Sequence, residues 1–389
     1  MDKRTAIYMD YAATTPVDPR VLEAMMPYFR DEFGNPSSVH TYGQRAEAAL
    51  ENAREAVAAT LDCQPEEVIF TSCGSESDNL AIRGAANAAR AGRGAKHILI
   101  SPVEHHAVSR TAIQLADFFG FELEYLPVDE NGTVHPAIVA DRLRPDSAVV
   151  SVLYANNEIG TINPIAEIGS LCRERDIPFH SDAVQGAAYL PVDVQALNVD
   201  LLAIGAHKFY GPKGVGALFV RKGTRLIPAL TGGSQEFGLR AGTHNIPYIV
   251  GLAEALRLAQ AEREERKARL LPLRDHLIGQ VLESIPASQL TGHPVDRLPN
   301  HASFVFEGID GNALLMMLDA NGFACSSGSA CKTGDPEPSE VLTALGLSRD
   351  WALGSLRVTL GEGTRPEDID SFLGILPGLV ERVRRFQTV

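Results

Sequence analysis

The chain has 389 residues, 45% of them hydrophobic, which suffices for a sizeable core in two domains or one large one. Its 49 acidic and 35 basic residues give a formal charge of −14, which disfavours nonspecific binding to nucleic acid or an anionic membrane. No stretch approaches the roughly 20 consecutive apolar residues of a membrane span, and the first residues carry no signal-peptide core, so a soluble cytoplasmic protein is expected. The five cysteines are odd in number and include no Cys-x-x-Cys, which indicates neither a disulfide framework nor a zinc site.

In chain order, residues 1–15 read as an extended arm, and 19–33 and 44–61 carry helical spacing of apolar residues. Strands and helices then alternate: strand 68–70, helix 76–91, strand 97–100, helix 107–119, strand 121–128, helix 136–143, strand 148–154, helix 164–175, and strands 177–181, 201–206 and 217–220. Such alternation implies an α/β fold, a mostly parallel sheet flanked by helices, with ligands beyond the carboxyl ends of the strands. A helical stretch over 247–285, with a break expected at Pro272, leads to a smaller α+β unit. That unit reads as strand 302–306, helix 312–321, loop 325–338, helix 339–345, strand 356–360 and helix 366–386.

The apolar run 201–206 ends on His207-Lys208. A buried ammonium is costly. Desolvation lowers a lysine pKa and lets the amine hold an aldehyde as a Schiff base, although a lysine snorkelling out at a strand end reads equally well. The preceding apolar strand ends on Asp182. An acid and a lysine at neighbouring strand ends meet the needs of pyridoxal phosphate, which requires a carboxylate against its ring nitrogen to act as an electron sink.

Other stretches are less specific alone. Thr71-Ser-Cys-Gly-Ser75 opens a helix after a strand and reads as an anion site or a simple cap. Glu104-His105-His106 and Asn156-Asn157 end strands, and adjacent histidines point apart, which argues against a two-histidine metal site. The run from Thr231 to Thr243 is a glycine-rich loop, and Arg357 is the one charge in an apolar strand. The segment from Cys325 to Ser339 is small, polar and rich in breakers, so it reads as an exposed loop in which a free cysteine serves better as a nucleophile than as structure. Cys63 and Cys172 read as buried small hydrophobes.

From Tyr11-Ala-Ala-Thr-Thr-Pro16 through the lysine stretch and Ser327-Gly-Ser-Ala-Cys331 to Arg357, the chain resembles the NifS/IscS type of cysteine desulfurase within the class V aminotransferase family. The resemblance implies a fold-type I pyridoxal-phosphate transferase, with a large cofactor-binding domain over 16–261 and a small domain over 1–15 and 262–389. It implies that Lys208 holds pyridoxal 5'-phosphate and moves the α-proton, and that Asp182 faces the ring nitrogen. Gly74, Ser75 and His207 cradle the phosphate, and His105 stacks on the ring and carries protons. Asn157 and Gln185 bond the phenolic oxygen, Asn157 also holding the substrate, and Arg357 clamps the substrate carboxylate. Thr243 reaches the partner subunit's phosphate in a homodimer. Cys331 takes sulfur from L-cysteine as a persulfide, leaving L-alanine, and passes it to an iron–sulfur scaffold or a tRNA- or cofactor-thiolation enzyme. Cys325 is structural, and no metal is expected. The chain departs from well-known members at Gly205, where they carry a serine, and in ending at Val389 without a longer docking tail. The alternatives are a selenocysteine lyase or aminotransferase on the same scaffold, and a docking protein that has lost catalysis. An aminotransferase would not need the Cys331 loop, and a docking protein would not need Asp182, Lys208, His105 and Arg357 together.

Overall fold

The computed structural model describes residues 6–328 and 337–387. Seven strands form the main sheet in the order Val68–Thr71, Gly216–Val220, Leu201–Gly205, Phe179–Asp182, Ser147–Ser151, His97–Ile100, Glu122–Tyr125. Gly216–Val220 runs antiparallel to both its neighbours, and the other pairs are parallel. The central strands are apolar almost throughout because both faces are covered. In Leu201–Gly205, Leu201 and Ala203 pack in the core beneath the helices Gly74–Arg93 and His106–Phe119, while Leu202 and Ile204 belong to the core that includes the helices Thr41–Leu61 and Ile246–Ala261. The expected strand 201–206 stops at Gly205, and Lys208 lies in the 3₁₀ turn Ala206–Lys208 that follows.

Two smaller sheets complete the fold. His301–Phe306 pairs antiparallel with Ser355–Thr359 and with Ser288–Leu290, a strand the apolar pattern did not reveal. Ile7–Tyr8 pairs in parallel with Phe323–Ala324, which ties the N-terminal arm to the C-terminal region.

Proline marked two helix boundaries differently from expectation. The predicted helix 19–33 divides into Pro19–Met25 and Pro27–Arg30, since Pro27 cannot continue the hydrogen-bond ladder. The predicted break at Pro272 is absent: Arg263–Ser284 runs through it, and the chain turns instead at Glu262. Leu270, Leu277 and Val281 on that helix are fully buried, and their packing outweighs the one lost backbone bond.

Candidate active site

Parallel pairing places Asp182 opposite Ala203, so Asp182 and the turn carrying Lys208 leave the sheet side by side. Both line a cavity of about 200 Å³ together with Gly74, Ser75, His105, Asn157, Gln185 and His207. The structure thus brings together eight of the residues singled out from the sequence.

Lys208 is held by a motif whose role the sequence did not reveal. Its Nζ donates to the carbonyls of Ala12 (2.6 Å) and Ala13 (2.8 Å) in the N-terminal arm. Next to them, Thr15 donates from its backbone N–H and its hydroxyl to the His207 carbonyl, each at 3.0 Å. The arm therefore forms one wall around the lysine. Burial lowers the Lys208 pKa to about 8, with Arg357 acting in the same direction and Asp182 and Asp10 opposing it. At pH 7 about a tenth of the amine is then neutral, against well under a thousandth at an ordinary lysine. Binding of pyridoxal phosphate to the cofactor-free protein should therefore accelerate from pH 7 to 9 with a midpoint near 8. Stopped-flow absorbance would measure this, and a rate flat across that range would return the amine to an ordinary value.

At the start of helix Gly74–Arg93, a Cβ on Gly74 would meet Val184 Cγ2 at 2.6 Å, so only glycine fits between helix and strand end. A Cβ at Gly205 would lie 3.4 Å from the Gly74 nitrogen, an ordinary contact. A serine there would fit beside this helix start, and here the position is bare backbone. His207 is pushed down to about 4 by burial, then by Lys208 and Lys213, so it is neutral and available to donate.

His105 caps helix His106–Phe119, its Nδ1 accepting from Ala107 N at 3.1 Å, which leaves Nε2 to carry the proton. Of the two histidines only His105 lines the cavity; His106 points outward beside Glu340. Burial lowers the His105 pKa, Asp182 opposing and Lys208 and His106 reinforcing. Asn156 is structural, bonded through its side chain to Val103, Glu158 and Ile159, whereas Asn157 lines the cavity. Gln185 uses one amide N–H on the Ala12 carbonyl and retains the other.

Asp182 accepts from Val184 N at 2.8 Å, and burial raises its pKa against the pull of His105, that N–H and Lys208. One oxygen each of Asp78 and Asp182 and one ring nitrogen of His105 lie within 4.8 Å of one another. Two ionised carboxylates that close repel by roughly 3 kcal/mol at an effective dielectric of about 20. A ring carrying a protonated nitrogen fits here: the cation would offset the carboxylate charge, and Lys208 lines the same cavity. The residues therefore suit pyridoxal phosphate.

Arg357 and Thr243 are not among the residues lining this cavity. Arg357 donates from Nη2 to Asp10 (2.9 Å) and from Nη1 to the Asn157 carbonyl (2.9 Å). Its buried Nε has no hydrogen-bond partner. Thr243 lines a separate, open pocket with Phe33, Asn35 and His244. Cys331 lies outside the described residues. The strand bridge Ser326–Arg357 brings the chain leading toward it alongside Arg357. Glu158, which the sequence reading passed over, accepts from the Ser339 hydroxyl and touches the position of Gly328, backing both ends of that segment. Burial raises Glu158 to about 7, with Ser339 and Arg357 opposing. The Cys325 thiol is raised far above the ordinary range by burial and then by Asp10, which makes it inert.

The sheet order, the lysine and the opposed aspartate define a pyridoxal-phosphate enzyme of fold type I. The family model for aminotransferase class-V matches residues 7–372. The chain is 48% identical to a cysteine desulfurase IscS of Methanosarcina thermophila over 379 residues, covering 97% of this chain and 93% of the relative. Among solved structures, a NifS-like protein aligns with a TM-score of 0.89 at 35% identity, covering 97% of this chain and 100% of the other. SspA in complex with cysteine aligns at 0.79 and 37% identity, covering 91% of this chain and 98% of the other. The chain belongs to the class-V aminotransferase family and, within it, to the cysteine desulfurases.

Proposed function

We propose that this protein removes sulfur from L-cysteine, with Lys208 as the residue that holds pyridoxal phosphate and Cys331 as the sulfur acceptor. The observation that carries the reading is the single cavity shared by Lys208, Asp182, His105 and the start of helix Gly74–Arg93. Gly74, Ser75 and His207 would hold the phosphate, Asp182 would hold the ring nitrogen, and His105 would lie beside the ring. When bound, the cofactor supplies an electron sink for the substrate's reacting carbons. Arg357, oriented by Asp10, would bind the substrate carboxylate. Lys208, neutral in part at physiological pH, takes and returns the α-proton, and His105 Nε2 carries protons beside it. Cys331 takes the sulfur as a persulfide, L-alanine leaves, and the sulfur passes to an acceptor in iron–sulfur assembly or thiolation.

Purified protein should be yellow, should release alanine and sulfide in equal amounts from L-cysteine with a thiol reductant, and should keep the cofactor on the Lys208 peptide after borohydride reduction. Label on another lysine, or no alanine from a loaded protein, would refute the reading.

A homodimer belongs to the same proposal. Met26, Phe29, Phe33 and Tyr42 are exposed, and Phe33 shares its pocket with Thr243. So much exposed apolar surface next to a phosphate-directed threonine supports an interface there. Sedimentation should give a dimer, and a fully active monomer would contradict it. The division into 16–261 and the remainder is supported by the pairing of Ile7–Tyr8 with Phe323–Ala324. Among the described residues no helix is long and apolar enough to cross a membrane, and the four of the five cysteines that lie there are free thiols, which supports a cytoplasmic setting.

A further inference from the structure

The turn that brings Asn157 to the cavity is gripped from the C-terminal sheet, and one of the gripping side chains has no part in the mechanism so far. His301 opens the strand His301–Phe306, and Arg357 lies on its antiparallel partner Ser355–Thr359. His301 stands opposite Thr359 and Ser303 opposite Arg357, so His301 and Arg357 are diagonal neighbours on one face of the sheet. Both side chains end on one atom. The Asn157 carbonyl oxygen accepts from His301 Nε2 at 3.1 Å and from Arg357 Nη1 at 2.9 Å. A carbonyl oxygen only accepts, so Nε2 carries the ring hydrogen and Nδ1 has a bare lone pair. Nδ1 is buried without a partner, which costs less for a lone pair than a stranded second N–H would in a cation. Burial, then Arg297 and Arg357, push the His301 pKa well below its ordinary value, with the bond to Asn157 opposing and Arg274 reinforcing. The ring is a neutral donor, fully enclosed.

The same ring rests on the other end of the turn. A Cβ on Gly160 would lie 2.8 Å from His301 Cγ and Nδ1, and Gly160 has φ +79°. Only glycine permits both that conformation and that approach. The residues just before His301 hold the backbone between. Arg297 Nη2 donates to the Ile159 carbonyl at 2.8 Å, and Leu298 N to the Gly160 carbonyl at 2.9 Å. The bonds of His301 and Arg357 fall on Asn157 itself.

We propose that His301 is a positioning residue for the desulfurase reaction: by sharing the Asn157 carbonyl with Arg357, it ties the side chain that lines the cofactor cavity and the guanidinium that binds the substrate carboxylate to one point. The inference rests on the cavity holding the cofactor and on Arg357 binding that carboxylate. A neutral donor suits this place. A cation would stand against Arg297 and Arg357, and an apolar ring would leave the carbonyl to Arg357 alone, freeing the turn on the cavity side.

The test uses the holoenzyme and reads the pH midpoint of the cofactor's visible band, KM against kcat for L-cysteine, and melting temperature. Phe fills the space of the ring without a donor, and Gln presents an amide N–H near the place of Nε2. His301→Phe should raise KM about fivefold, the loss of one buried hydrogen bond. It should also move the midpoint by about 0.3 unit or more, in the same direction as Asn157→Ala. His301→Gln should recover most of both. Because the shift passes through the Asn157 side chain, His301→Phe added to Asn157→Ala should leave the midpoint where Asn157→Ala alone puts it, whereas a packing defect would shift both backgrounds alike. In the unaltered protein, nitrogen-15 spectra of labelled histidine should show His301 as the neutral Nε2–H tautomer at about pH 6, its signal assigned by its loss in His301→Gln. An Nδ1–H tautomer or a cation would overturn the proposal. So would native KM and midpoint in folded His301→Phe, an equal midpoint shift in both backgrounds, or no recovery in His301→Gln. Asn157→Ala with a native midpoint, or Arg357→Lys with native KM, would instead overturn the reading of the site on which the proposal rests.

Discussion

Cys331→Ser is expected to lower alanine and sulfide release from L-cysteine by roughly a thousandfold or more while leaving the cofactor bound and its spectral response to L-cysteine intact. The two halves of the chemistry sit on different parts of the chain. Lys208, Asp182 and His105 are fixed at strand ends and a helix cap, whereas Cys331 belongs to the segment between Gly328 and Glu337. A hydroxyl is a poor nucleophile toward sulfur, and no cavity residue changes. Cys325→Ser is the control, since that thiol is half-buried and held protonated, and it should retain most activity. Turnover of L-selenocysteine should survive Cys331→Ser if selenium can leave without a cysteine nucleophile. Near-normal L-cysteine turnover by Cys331→Ser, or collapse only in Cys325→Ser, would identify the wrong sulfur carrier.

The second large effect concerns stability. Glu236→Ala should cost about 3–5 kcal/mol in denaturant unfolding, because it strands a buried guanidinium. Arg54 and Glu236 are almost fully buried and paired twice, at 2.9 and 3.0 Å. Glu236 also accepts from Phe70 N and bonds His244 Nε2, each at 2.7 Å. Four contacts hold the loop although Glu236 and Phe237 sit in left-handed conformation, φ +47° and +56°, which costs side-chain-bearing residues roughly 1–2 kcal/mol each. Replacing both partners, Arg54→Met with Glu236→Leu, should destabilise less than Glu236→Ala, since no charge is left unpaired. Burial raises the Glu236 pKa, but His244 and Arg54 outweigh it and the net shift is downward. Its contribution is therefore complete above the ordinary glutamate range and fades as pH falls through the depressed folded value. Glu236→Ala should accordingly lose part of the acid dependence of stability. A cost below about 1 kcal/mol would mean that the pair is not what holds this loop. The loop leads to Thr243, so weaker dimerisation in Glu236→Ala is expected as well.

The alternation of apolar strands with amphipathic helices was legible in the sequence because period and length report burial directly. So was the placement of Asp182 and Lys208, because a parallel sheet sends successive strand ends to one edge. His105 over His106 and Asn157 over Asn156 were assigned by resemblance, and the cavity lining separates each pair. Other features were decided by contacts between distant segments. Pro272 sits inside a helix because of the apolar face it shares, which local propensity cannot weigh. The carbonyls of Ala12 and Ala13 reach Lys208 across 196 and 195 residues, and backbone acceptors have no sequence signature. Arg54 meets Glu236 across 182 residues, and Asp78, Glu104, Ser151 and His180 come from a helix, a loop and two strands. Each of these reads singly as an ordinary polar residue. Only the pairing of His180 with Ser151 and the packing of helix Gly74–Arg93 over that strand bring them together.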